Sequence, residues 1–164
     1  MKKTFLALFL ILAMLFCIGC DGEEPTVKSC TVGGSLENGT IKMTFNSVEA
    51  YVDNDEYPMD TPAEGKMFVI LKFTAENIGD EDDYINMFDE TSYCDDAAID
   101  PVSILFNYDG ETIWGDVAVG KTRSGYIAYE VDQDWQKLEF IWQWDTWDDD
   151  ATMTFTAYRS DLQA

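Results

Sequence analysis

The sequence predicts an all-β protein, an antiparallel β-sandwich of about seven or eight strands, and three observations carry that prediction. Apolar residues recur with period two in several windows, as half-buried strands require. Gly, Asn, Asp and Pro punctuate the chain between those windows. No window shows a 3.6-residue apolar stripe of helical length, so no helix can cover a sheet and two sheets must cover each other.

The elements follow in order. In TIKMTFNSVEAYV (40–52), Ile41, Met43 and Phe45 point one way and Lys42, Thr44 and Asn46 the other, after an Asn38-Gly39 turn. Residues 53–65 form a polar loop with two prolines. KMFVILKFTAEN (66–77) is the strongest strand: Met67, Val69, Leu71, Phe73 and Ala75 make one face, and Phe68 and Ile70 imply a second covered surface. IGDEDD (78–83) is a charged turn and 84–90 a short strand. Residues 103–114 read as a hairpin on Asp109-Gly110, a pair suited to the positive φ angles of a tight turn. A turn at Gly120 leads to a strand from about Ser124 to Val131. Leu138, Phe140, Trp142 and Trp144 share a face of 136–144, as Met153 and Phe155 do in 151–158.

Ahead of the sandwich lies an address. Lys2 and Lys3 precede an uncharged apolar run, Phe5 to Ile18, too short for a comfortable transmembrane helix, which needs about 20 residues, but suited to a secretory signal. Gly19-Cys20 resembles the end of the lipobox of bacterial lipoproteins, although Cys17 stands where that motif usually has an aliphatic residue. The resemblance implies cleavage before Cys20, lipidation of Cys20, and anchorage on the extracytoplasmic face of the bacterial cell membrane. The resulting division is a signal peptide at 1–19, a lipid-anchored tether at 20–35 and the β-sandwich domain at 36–164.

All 32 acidic residues follow the signal, against eight basic ones, so the mature chain carries a net charge of −24. Such a surface repels phosphate backbones, which excludes nucleic acid as a partner. The 46% hydrophobic content excludes a disordered acidic tail. With Cys17 removed and Cys20 acylated, Cys30 and Cys94 remain. They either pair, constraining the unfolded chain by roughly 4 kcal/mol, or stay as reduced thiols; pairing is the expectation for an exported domain.

Further segments extend the resemblance: Gly65-Lys66-x-Phe68-Val69, Asn77-x-Gly79, Val119-Gly120-Lys121, Ser124-Gly125-Tyr126 and Tyr129-Glu130-Val131. Together with the lipobox and acidic tether they resemble an immunoglobulin-like domain of unknown function in bacterial lipoproteins, within an extracellular immunoprotective-antigen-like superfamily. Val119 replaces its usual proline and Tyr129 its phenylalanine. The resemblance covers roughly residues 40–145, implies an extracellular binding or antigenic domain with an immunoglobulin-like sandwich, and supplies no catalytic residues.

With no histidine, His-based acid–base catalysis, nucleophile–His pairs and His zinc sites are excluded, and no phosphate-cradling glycine loop occurs. The chain reads as a non-enzyme with no required cofactor. Acidic clusters at strand ends read first as solvated charge, with Asp80, Asp82, Asp83, Asp148 and Asp150 as candidate Ca²⁺ ligands because Ca²⁺ takes irregular sets of oxygens. Large aromatics read first as core, leaving Trp144 and Trp147 as candidate exposed contacts for a glycan. The expectation is therefore a membrane-anchored, non-catalytic binding module whose partner is an envelope protein or a glycan.

Overall fold

A computed structural model describes residues 28–51, 61–85, 90–102, 108–144 and 152–163. Its strands are β1 (Lys28–Thr31), β2 (Ser35–Glu37), β3 (Ile41–Ala50), β4 (Lys66–Asn77), β5 (Asp83–Ile85), β6 (Glu90–Cys94), β7 (Ala97–Ile99), β8 (Pro101–Val102), β9 (Gly115–Val117), β10 (Thr122–Asp132), β11 (Lys137–Gln143), β12 (Thr152–Tyr158) and β13 (Leu162–Gln163). Seven have four or more residues, and these form the sandwich anticipated from period-two patterning. The shorter ones seal edges or form a ribbon and are too brief to show a period.

One sheet runs β1-β12-β11-β6-β7 and the other β13-β3-β4-β10-β8, with β2 also on β3; β5 and β9 make a separate ribbon. Most pairings are antiparallel, but β1 joins β12 and β13 joins β3 in parallel. Between the sheets, the β4 face of Val69, Leu71, Phe73 and Ala75 is buried as its alternation requires. Phe73 lies at the centre, stacked on Phe45 at 4.8 Å and touching Phe140 and Phe155 at 5.3 Å each. Such ring pairs add about 0.5–1.5 kcal/mol beyond their area. A bulge between Phe45 and Ser47 lets Val48 resume the inner face.

Outside the second sheet, Phe68, Ile70, Tyr126 and Ala128 form the other covered surface, beneath Tyr51, Val102 and Tyr108. Here Glu111 and Ile113 bond the backbone of Tyr126, so the residues around 112 run beside β10. The first arm of the expected hairpin, 103–107, lies outside the described residues. Gly125 permits that approach: a Cβ there would sit 2.6 Å from the Ile113 nitrogen.

The first sheet begins at Lys28, inside the segment assigned to the tether. The expected strand at 84–90 is represented by Asp83–Ile85 and the start of β6, with 86–89 outside the described residues. A hairpin joins β6 to β7 through Asp95 and Asp96, whose φ angles of 49° and 69° suit a tight turn. Asp95 also accepts the Gln136 and Lys137 amides, at 3.0 and 2.8 Å, tying this turn to the start of β11.

The disulfide expectation is also corrected. Cys30 lies on β1 and Cys94 on β6, with β12 and β11 between them. Three inter-strand steps amount to roughly 14 Å, about twice the Cα separation a disulfide allows. Both cysteines are free, and burial, reinforced by Asp95, pushes the Cys94 thiol up to about 11. A thiol with that pKa is protonated and unreactive at neutral pH.

Candidate interaction site

β4 ends, β3 and β10 begin, and the described chain enters at one end of the sandwich. Lys28, paired with Met153 at the start of β12, donates its ammonium to the Glu37 carbonyl and lies 5.5 Å from the centre of the Trp144 ring. The organiser of this end is Asn77, which is buried. Its side-chain amide donates to the carbonyls of Glu81 and Val117, both at 2.8 Å, while its carbonyl oxygen accepts the Gly79 amide at 2.9 Å. Its backbone bonds Lys121 and Gly120. One side chain thus joins the loop after β4 to the segment leading into β10. Gly79 follows for a steric reason, since a Cβ there would press on Thr40 at 3.3 Å.

From this clamp rises the β5–β9 ribbon, which pairs Asp83 with Val117, Tyr84 with Asp116 and Ile85 with Gly115. Ile85 and Val117 are buried and anchor it. Tyr84 and Trp114 occupy diagonal positions and are 52% and 47% exposed, with Ile78 at 41% and Val119 at 45% on the loops that Asn77 joins. Among the described residues these are four of the five exposed large hydrophobics; the fifth, Tyr158, ends β12 at the opposite end. Isolated apolar surface residues are ordinary, but four on short segments tied together at one end of the sandwich mark a place for contact.

The acidic residues here have structural work. Asp82 accepts the Val119 amide at 3.1 Å and Asp83 the Tyr84 amide at 2.7 Å. Asp80 is exposed. No three acidic or cysteine side chains among the described residues come together as a metal site, so Asp80, Asp82 and Asp83 do not form one by themselves. Asp148 and Asp150 lie outside the described residues, as do Trp147 and Cys20. Trp144 is half-buried, packed on the core edge and covered by Lys28, which corrects its reading as an exposed platform. Among the described residues Trp114 is the exposed tryptophan, concealed in the sequence because 103–114 reads as a hairpin.

Two other features bear on chemistry. Glu90, Ser92 and Tyr129 form a polar group between the sheets: Tyr129 lies 2.7 Å from the Ser92 hydroxyl and donates to Glu90 at 3.4 Å. Burial raises the Glu90 carboxyl to about 7, opposed by the Tyr129 hydrogen bond and aided by Asp100. Ser92 and Tyr129 are buried, so this group lies inside the sandwich away from the surface. On the outer face of the first sheet, Tyr93, Asp96, Glu139, Thr154 and Thr156 line an open groove of about 570 Å³.

The model for a domain of unknown function, DUF4352, matches residues 30–152. The chain belongs to the DUF4352 family. Gly79, Asn77 and Gly125, singled out by their sequence context, thus serve this DUF4352 domain as a loop clamp and a close strand approach.

Among solved structures, a Bacillus subtilis protein described as a lipoprotein (ycdA) superposes with a TM-score of 0.63 at 13% identity, over 77% of this chain and 39% of that one. The domain therefore corresponds to well under half of that protein. A Staphylococcus aureus protein described as a lipoprotein gives 0.56 at 16% identity, covering 81% and 93% of the two chains. The secreted Mycobacterium tuberculosis protein MPT63 gives 0.56 at 8% identity, covering 82% and 99%. These likenesses show the fold alone. No curated protein matches the sequence.

Proposed function

We propose that this DUF4352 protein is a lipoprotein held by Cys20 on the extracytoplasmic face of the cell membrane. There it acts as a non-catalytic binding module whose recognition surface is the β5–β9 end of the sandwich. The observation that carries this reading is the gathering of Ile78, Tyr84, Trp114 and Val119 on segments fixed by Asn77 and its neighbours. Tyr and Trp are the residues most often dominant in binding energy, and a clamped surface loses little entropy on association. The Gly19-Cys20 motif and the lipoproteins among the structural relatives support the address.

Chemical cross-linking of the tagged full-length protein in intact cells tests the surface. One stoichiometric envelope-protein adduct is expected, lost in Tyr84→Ser/Trp114→Ser and kept in Tyr158→Ser. An adduct unaffected by the double variant would overturn the assignment. Metabolic labelling with an alkyne fatty acid tests the anchor, with label expected on the parent and absent from Cys20→Ser. A glycan is the second reading, favoured by the groove beside Tyr93, whose hydroxyls and carboxylates suit sugar hydroxyls. Retention on immobilised oligosaccharides, abolished by Tyr93→Ala, would bring it forward.

A further inference from the structure

We infer that the β5–β9 end docks a Lys- and Arg-bearing extracytoplasmic segment of a membrane-embedded protein, an inference that rests on the anchored-module reading above. Two independent features define that occupant. The first is charge. Asp116 pairs with Tyr84 across the ribbon, Asp83 precedes it, and Asp80, Glu81 and Asp82 make up the loop leading into β5, whereas Arg123 nearby is already engaged with Glu111 at 3.4 Å. Exposed aromatic faces flanked by carboxylates attract guanidinium and ammonium groups twice over, through the ring quadrupole and through opposite charge. The same carboxylates repel anionic lipid headgroups and anionic wall polymers, and a neutral glycan gains no net charge attraction from them.

The second feature is reach. The described chain enters the sandwich by Lys28 at this same end, beside Glu37 and Trp144. Only seven residues separate Lys28 from Cys20, a span of at most about 28 Å when fully extended. With Cys20 lipidated, the aromatic ribbon is confined near the bilayer, where the proteins it meets are membrane-embedded ones.

The test places a photo-reactive benzoyl-phenylalanine at residue 84, 114 or 158 of the full-length lipoprotein in intact cells, then sequences the captured peptides. Positions 84 and 114 are expected to capture one Lys/Arg-rich extracytoplasmic peptide of a membrane protein. Position 158 should not. Asp82→Asn/Asp83→Asn/Asp116→Asn keeps the acceptor oxygens that hold the loops, and is expected to cut the adduct at least about fivefold through lost attraction. The same fall should follow raised salt on isolated membranes. Capture of lipid, of glycan, or of a neutral or acidic peptide at 84 and 114 would overturn this inference while leaving that end a contact surface. Capture only at 158, or at none of the three, would overturn both readings.

Discussion

Replacing Glu90 with glutamine tests whether the core stores a proton. Glu90 starts β6 on its inner face, opposite Trp142. One carboxyl oxygen receives the long Tyr129 hydrogen bond and the other is buried without a partner. Burial comes first among the causes that raise its pKa from an ordinary 4.5 to about 7. The sign follows from linkage. Between those values the unfolded chain has released its proton while the folded one keeps it, so stability falls as pH rises through this window and levels off above it.

A shift from 4.5 to about 7 corresponds to roughly 3 kcal/mol at full value. The carboxyl retains some contact with solvent, and screening reduces this to about 2 kcal/mol. Glu90→Gln keeps the shape and carries no charge at any pH. Its advantage over the parent should be small near pH 5 and should grow by about 1.5 kcal/mol by pH 8, or roughly 5 °C in melting temperature. Urea titrations followed by far-UV circular dichroism at pH 5, 6, 7 and 8 measure it. Every other acidic residue titrates in both proteins, so the difference isolates position 90. A pH-independent difference, or one that shrinks towards pH 8, would refute the reasoning.

Other outcomes follow from the clamp, the strand crossing and the thiols. Asn77→Asp turns two donor hydrogens into an oxygen facing the Glu81 and Val117 carbonyls; a loss of about 3–4 kcal/mol is expected in thermal melts, and less than about 1 kcal/mol would deny the clamp its role. Gly125→Ala drives a methyl group onto the Ile113 backbone and should cost about 2–3 kcal/mol or prevent folding, as measured by soluble yield and urea midpoint. Reductant should leave the melting temperature unchanged, and Cys30 and Cys94 should react with a thiol reagent more slowly in the folded protein than in the unfolded one. Reductant-dependent melting would show that they pair after all.

Local pattern made the long strands legible. The alternation of Ile41, Met43 and Phe45, the two faces of β4, and Leu138, Phe140 and Trp142 of β11 all correspond to burial in the fold. What escaped depended on contacts remote in sequence. β1 is too short to show a period and exists because β12, more than a hundred residues later, supplies a parallel partner. The β6–β7 hairpin turns on Asp95-Asp96, a pair that reads as surface charge until both φ angles are seen to be positive. Cysteine counting suggested a bond that strand order forbids. At the candidate site, Asn77-x-Gly79 was visible as a motif, but its three side-chain hydrogen bonds depended on where residues 81 and 117 return.

The sheet edges and the ribbon end differ in what they offer a partner. An edge receives a strand when its row of backbone groups is long and open. Here β3 is flanked by both β2 and β13, and β10 carries β8 and the Thr112 bridge. The first sheet is bounded by β1 and β7, of four and three residues. Edges so short give an incoming strand few bonds with which to offset its ordering entropy. At the ribbon end, Asn77 bonds backbone groups of Gly79, Glu81, Val117, Gly120 and Lys121, and β5 and β9 are three residues each, too short to template a strand. Recognition there therefore depends on aromatic area and carboxylate charge, so its strength should fall with salt and with loss of Trp114 while the backbone of the sandwich stays unchanged.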